Sequence, residues 1–283
     1  MRFVPTAVLV REAFEQGYAV PSFCIWNAET AATLLAVASD CRAPVILMCG
    51  PGEFPVLPAA MMAEAARLAL AHRPARAALH LDHGDSVDLV RECLAAGFTG
   101  VMLDYSVRPL AENTAALREM AALAGPAGAS VEGELGAVGR VDDVTVEGGH
   151  TSALTDPQEA RRYVEATGVD MLAVSIGNAH GIYAARPQLD FARLEAIRAA
   201  VGVPLVLHGG SGTPEEDLRK AVALGIAKVN VASELVRAVR ESLRGHWDAG
   251  DRSWLPVQVG RAMAALAPVA ERWIRACGAA GRA

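Results

Sequence analysis

Short, β-rich apolar runs recur along the whole chain, and most are followed by a segment with apolar residues at helical spacing. The runs are "AVPSFCIW" (19–26), "PVILMCG" (44–50), "AALHLDHG" (77–84), "GVMLDYS" (100–106), "ASVEGELG" (129–136), "MLAVSIGN" (171–178), "PLVLHGGSG" (204–212) and "AKVNVASE" (227–234). Two of the intervening segments, "SVDLVRECLAAG" (86–97) and "PEEDLRKAVALG" (214–225), end in Gly, the residue that follows a helix C-terminus. Alternation of strand and helix implies parallel strands joined by crossover helices. Eight such units predict an α/β chain folded as a (β/α)8 TIM barrel. An open doubly wound sheet is the alternative, but no G-x-G-x-x-G turn follows the first strand.

Two stretches stand outside the repeat. Residues 137–153, "AVGRVDDVTVEGGHTSA", are polar, glycine-rich and acidic, and a loop of that length is functional or disordered. The tail from about Gly245 to Ala283 contains "PVQVGRAMAALAPVAERWIRACG", which predicts an extra C-terminal helical segment packed on the barrel or on another subunit. No linker or low-complexity tract separates a second domain, so one domain over residues 1–283 is expected.

Composition narrows the partners. A net charge of −6 with interspersed signs leaves no basic stripe for nucleic acid. No apolar run approaches the roughly 20 residues that span a bilayer. The N-terminus shows no signal-peptide pattern, and the five cysteines form no CxxC pair. A soluble protein of the reducing cytoplasm is expected.

Barrel active sites lie at the C-terminal ends of the strands, and the unusual polar residues fall there. Asp82 and His83 close strand three, and Asp104 closes strand four. Glu132 and Glu134 lie on strand five, and His180 follows strand six. His208 closes strand seven, with Asn230 and Ser233 on strand eight. Three histidines from three strand ends can converge on one catalytic zinc, which takes three protein ligands and keeps one position open; taken singly, each is also readable as a hydrogen-bonded structural histidine. The glycine after each histidine lets the backbone turn and lets substrate approach. Strand alternation points Asp82 away from its neighbour His83, as a general acid or base or as a partner orienting a ligand. Asp104 and Glu134 read as orienting groups or as ligands for a second metal position. "GGSGTPEED" (209–217) places small residues and a helix start after strand seven, where barrels bind phosphate, and "NVAS" (230–233) completes the cradle.

This constellation resembles the class II, metal-dependent ketose-bisphosphate aldolases from about Val4 to Leu243. "HLDHG", "VEGELG", "LTDPQEA", "LAVSIGNAHG", "VPLVLHGGSG" and "KVNVASEL" stand in the family's order. In length and register the chain is most similar to the tagatose-bisphosphate branch, whereas "HGGSG" is more like the fructose-bisphosphate branch.

The resemblance implies a zinc enzyme of carbohydrate metabolism (glycolysis in the fructose branch) that cleaves fructose or tagatose 1,6-bisphosphate to dihydroxyacetone phosphate and glyceraldehyde 3-phosphate. It makes His83, His180 and His208 the Zn2+ ligands and Asp82 the group that handles the C4 hydroxyl proton. Gly181, Gly209, Gly210 and Ser211, with Asn230, Val231, Ala232 and Ser233, would bind the dihydroxyacetone phosphate moiety. Backbone carbonyls there would hold a monovalent cation, Na+ or K+. The apolar tail and the family's habit imply a homodimer or homotetramer.

Four positions depart from the pattern. Asp142 stands where a loop glutamate protonates the enediolate, Arg140 where a glycine is usual, and Cys24 where an asparagine contacts substrate hydroxyls; Trp26 at the mouth of strand one is also unusual. These leave room for another phosphorylated keto-sugar or keto-acid, such as a deoxy-keto-gluconate phosphate. A metal-dependent barrel hydrolase would leave the phosphate cradle unexplained and would carry His-x-His at the end of strand one, which is absent. A non-catalytic phosphosugar-binding subunit is the remaining alternative, against which the intact Asp82 and histidine set speaks.

Overall fold

The computed structural model describes residues 2–139, 153–183 and 185–283. Eight parallel strands close into a barrel in sequence order: β1 (Val20–Cys24), β2 (Val45–Cys49), β3 (Ala77–Gly84), β4 (Gly100–Leu103), β5 (Ser130–Leu135), β6 (Met171–Val174), β7 (Leu205–Leu207) and β8 (Ile226–Val231). The ring of helices comprises α2 (Ala28–Asp40), α3 (Ala59–His72), α4 (Val87–Ala96), α5 (Leu110–Ala127), α6 (Pro157–Thr167), α7 (Phe191–Ala200), α8 (Glu215–Ala223) and α9 (Ser233–Asp248). The strands are buried on both faces, which is why they read as nearly continuous apolar runs. Several are shorter than the apolar runs that announce them. β6 stops at Val174 and β7 at Leu207, so His180 and His208 lie on the connections just beyond.

An additional helix, α1 (Thr6–Gln16), precedes β1 and stands outside the eight strand–helix units read from the sequence. It packs against β1, β3, β5 and β8 at the barrel's N-terminal end. Its signal was modest: buried Ala7, Leu9, Val10 and Ala13, then a left-handed Gly17 at the C-cap. Its N-cap residue, Pro5, has no side chain able to cap the first turn. The Thr6 N–H instead donates to the Thr99 carbonyl (3.2 Å) and the Ala7 N–H to Ser130 Oγ (2.8 Å), so the barrel floor satisfies the orphan donors.

The C-terminal tail packs on the barrel. α9 extends to Asp248, and the extra helix is α10 (Leu255–Ala276), lying against α9 and α2. Leu266 and Ile274 are fully buried there, a burial worth about 1.5–3 kcal/mol for each side chain. Trp273 Nε1 donates to Glu234 Oε2 on α9 (2.9 Å), and Arg272 pairs with the same carboxylate. No described helix is long and apolar enough to cross a membrane.

Candidate active site

β3 ends irregularly. Its register with β4 shifts between Leu81 and Gly84, and His83 adopts a left-handed φ of 46°. A non-glycine residue in that region costs of order 1–3 kcal/mol and is held there by its surroundings. The kink overturns the alternation expected at this point, because Asp82 and His83 both line the cavity at the barrel mouth. It also corrects the role given to Gly84. The turn is made by His83 itself, while a Cβ on Gly84 would sit 2.6 Å from the Met102 carbonyl oxygen of β4. Gly209 does take a left-handed φ of 63°, and a Cβ there would strike the Ala179 carbonyl.

His83, His180 and His208 come together as anticipated. His83 Nε2 lies 3.2 Å from His180 Nε2 and 3.0 Å from His208 Nδ1. Ligand nitrogens about 2.0–2.1 Å from a tetrahedral zinc are separated by about 3.3 Å, so this spacing fits a metal. His83, Asp104 and Glu134 form a second grouping with metal-ligand spacing. Asp104 Oδ2 holds His83 Nδ1 at 2.7 Å, fixing the ring from its far side. Glu134 accepts the Val138 N–H with Oε1, while its Oε2 is buried without a hydrogen bond and lies 3.4 Å from His208 Nδ1.

The electrostatics show a shortage of positive charge. Burial opposes the charged form of His83, yet Asp82, Asp104 and Glu134 outweigh it and push the ring up to about 10. Burial raises Asp104 too, but the His83 and Ser106 contacts prevail and hold it well below the usual carboxylate range. Asp82 is lowered against its burial by His83, His208 and Lys228, while burial leaves Glu134 raised. An unbonded carboxylate oxygen and converging histidine nitrogens, among carboxylates that favour positive charge at His83, fit a divalent cation.

Beneath this mouth is a layer of which the sequence pattern singles out only Glu132. Glu132 Oε1 binds His208 Nε2 at 2.9 Å, and Oε2 binds Lys228 Nζ at 2.8 Å and faces His80 Nε2 at 3.4 Å. His80, Glu132 and Lys228 have no solvent exposure. Lys228 also donates to Asn230 Oδ1 (2.8 Å), so Asn230 turns its Nδ2 toward Asp82 Oδ1 (2.9 Å). Period-two spacing was the available signal. His80 with Asp82, Glu132 with Glu134, and Lys228 with Asn230 are i, i+2 pairs that face the barrel interior together.

On the β7–β8 side, Gly181, Gly209, Ser211, Asn230, Ala232 and Ser233 line a small cavity that also touches Asp82 and His180. Two expected cradle residues do not line it. The Gly210 N–H donates to the Asn230 carbonyl (3.0 Å), and Val231 is buried in the core. The Gly212 N–H is taken by Glu234 Oε1 (2.8 Å). On the β1–β2 side, adjoining β8, stand Cys24 and Glu53, the latter not anticipated, with Cys24 Sγ 3.7 Å from Glu53 Oε1 and the Gly50 N–H donating to Glu53 Oε2. Arg140 and Asp142 lie outside the described residues.

Comparison with known proteins agrees with this geometry. The family model "Fructose-bisphosphate aldolase class-II" matches residues 4–282. Among solved structures, the chain is 30% identical to the YdjI aldolase from Escherichia coli K12, covering 99% of each chain with a TM-score of 0.88. It is 27% identical to a putative fructose-1,6-bisphosphate aldolase from Coccidioides immitis, covering 98% of this chain and 97% of that one with a TM-score of 0.85. A fructose-bisphosphate aldolase from Campylobacter jejuni shares the fold at 20% identity and a TM-score of 0.83, over 100% of this chain and 97% of that one. The chain belongs to the class II fructose-bisphosphate aldolase family, a family of metal-dependent, lyase-type enzymes.

Proposed function

We propose that this enzyme splits the C3–C4 bond of a ketose 1-phosphate into dihydroxyacetone phosphate and an aldehyde. The observation that carries the reading is the convergence of His83, His180 and His208 beside Asp82, at a site whose carboxylates outnumber its cations. The three histidines would hold zinc, with Asp104 and Glu134 orienting ligands or serving a second metal position. When bound, the metal supplies Lewis-acid stabilisation of the negative charge left on the ketose fragment.

The chain's own residues do the rest. Asp82, lowered by its neighbours, is ionised and ready to take the C4 hydroxyl proton. Asn230 donates to Asp82 Oδ1, which leaves Oδ2 for the substrate, and Lys228 fixes the Asn230 amide in that orientation. Gly181, Gly209, Ser211, Ala232 and Ser233 would seat the phosphate end, with Na+ or K+ beside it, so that binding energy goes into orientation. Asp142 is assigned the return of a proton to the enediolate.

Fructose and tagatose 1,6-bisphosphates are the first substrates to test. Cys24 and Glu53 in the cavity wall favour a second reading within the same chemistry, another phosphorylated keto-sugar or keto-acid. Release of dihydroxyacetone phosphate, abolished by a chelator and restored by zinc, is the expected result. A protein that carries stoichiometric metal and cleaves no phosphorylated ketose would overturn the proposal.

A further inference from the structure

The mouth cavity does not end at Cys24 and Glu53. Both residues also line a second space of about 590 Å3, which runs between α9 and the turn after β1. Its walls are Trp26, Val236, Val239, Leu243 and Trp247. Val236 and Trp247 are 44% and 56% exposed, so the apolar strip is open to whatever leaves the mouth. Arg240 and Arg244 border the groove; both are exposed, Arg244 is engaged by Asp248 (3.3 Å), and their aliphatic stems extend the apolar wall.

The passage between the two spaces is acidic. Glu53 has the Gly50 N–H and the Cys24 thiol as partners, and neither brings a positive charge. Asp82 lines the same cavity. A phosphate placed there meets two carboxylates, whereas an uncharged chain passes without penalty. The small-residue cradle lies next to this passage on β7–β8, and the cations that border the groove, Arg240 and Arg244, are exposed to solvent rather than buried around an anion site.

We propose that the groove beyond Cys24 and Glu53 is a subsite for the aldehyde-derived arm of the substrate, and that this arm is uncharged and apolar at its end. The substrate class is then a ketose 1-phosphate with no second phosphate. The inference rests on the aldolase reading above and selects within it. In the condensation direction, C3 of dihydroxyacetone phosphate loses a proton and bonds to the aldehyde carbon. The aldehyde oxygen gains a proton, and nothing is oxidised or reduced.

The test uses metal-loaded enzyme, dihydroxyacetone phosphate and a panel of aldehydes: glyceraldehyde 3-phosphate, lactaldehyde, propanal, pentanal and 5-oxopentanoate. Lactaldehyde and pentanal are expected to exceed glyceraldehyde 3-phosphate in kcat/KM by about tenfold or more, the scale of one like-charge contact in a partly screened site. Glu53→Gln should narrow that gap by about tenfold, and Val236→Glu, at an exposed helix position, should erase the preference for pentanal over propanal. Preference for glyceraldehyde 3-phosphate, an unchanged ratio in Glu53→Gln, or preference for 5-oxopentanoate over pentanal would each overturn the inference. Deuterium exchange at C3 of dihydroxyacetone phosphate separates the two levels of failure. Exchange with no condensation onto an uncharged aldehyde rejects only the subsite, whereas no exchange rejects the aldolase reading and the subsite with it.

Discussion

The barrel interior holds two clusters built from the same residue types, one above the other. In the lower one, His80, Glu132 and Lys228 are sealed from solvent, and the lysine ammonium answers the carboxylate directly. In the upper one, Asp82, Asp104 and Glu134 surround three histidines with no lysine of their own, and His83 is left holding a proton to about pH 10. The lower cluster carries its own cation and, through Glu132 Oε1 and His208 Nε2, supports the upper one from below. The upper one carries more carboxylates than cations, an imbalance that the proposed metal ion would relieve. The contrast shows that histidines and acids alone do not identify a metal centre; the location of the compensating charge does.

Breaking the upper cluster should cost function most. His83→Ala is expected to lose its metal and to reduce turnover by about 10³-fold or more, since several kcal/mol of transition-state stabilisation go with the ion. Metal analysis alongside retro-aldol rates checks both, and full metal occupancy in the variant would remove His83 from the ligand set.

Breaking the lower cluster should cost stability. Lys228→Met leaves the Glu132 carboxylate buried without its lysine, for which about 3–5 kcal/mol is expected. Denaturant titration reads this, and an unchanged midpoint would mean that the layer is no foundation.

Stripping the metal sharpens the comparison further. At a free-metal concentration about a hundredfold above Kd, chelation should remove about 2.7 kcal/mol. The metal-free protein should also acquire a pH slope. Because the folded-state pKa of His83 is raised above the unfolded value of about 6.5, its contribution is full below about pH 6.5 and is lost as pH climbs through about 10. Metal-loaded protein should lack this slope, and equal slopes with and without chelator would contradict the charge-shortage argument.

The smallest effect is expected from Asp104→Asn. This keeps a hydrogen-bonding group near His83 Nδ1 but removes the charge, so metal affinity should fall about 10- to 100-fold. Competition with a calibrated chelator measures it.

Much of this was readable in the chain. The eight strands follow from their apolar runs, and His83, His180 and His208 from their places at strand ends. Where the structure departs from the sequence pattern, the causes are local. Alternation misplaced Asp82 because the β3 end kinks at His83, a tertiary constraint with no local signal. Gly210 and Val231 were counted in the cradle by motif, although a strand-edge hydrogen bond and the core claim them. His80 and Lys228 carry no signal of their own, and Glu132 stands out only as an acid on strand five, because charged residues in mid-strand have no obvious meaning until their partners on neighbouring strands are known. Glu53 sits in the turn after β2, where an acid looks like ordinary surface.

Glu234 ties the Gly212 N–H of the β7 connection to Trp273 and Arg272 near the end of the chain. The β7 connection is therefore braced from outside the barrel by α10, so a change at Trp273 or Arg272 is expected to reach the backbone beside Ser211 through a single carboxylate.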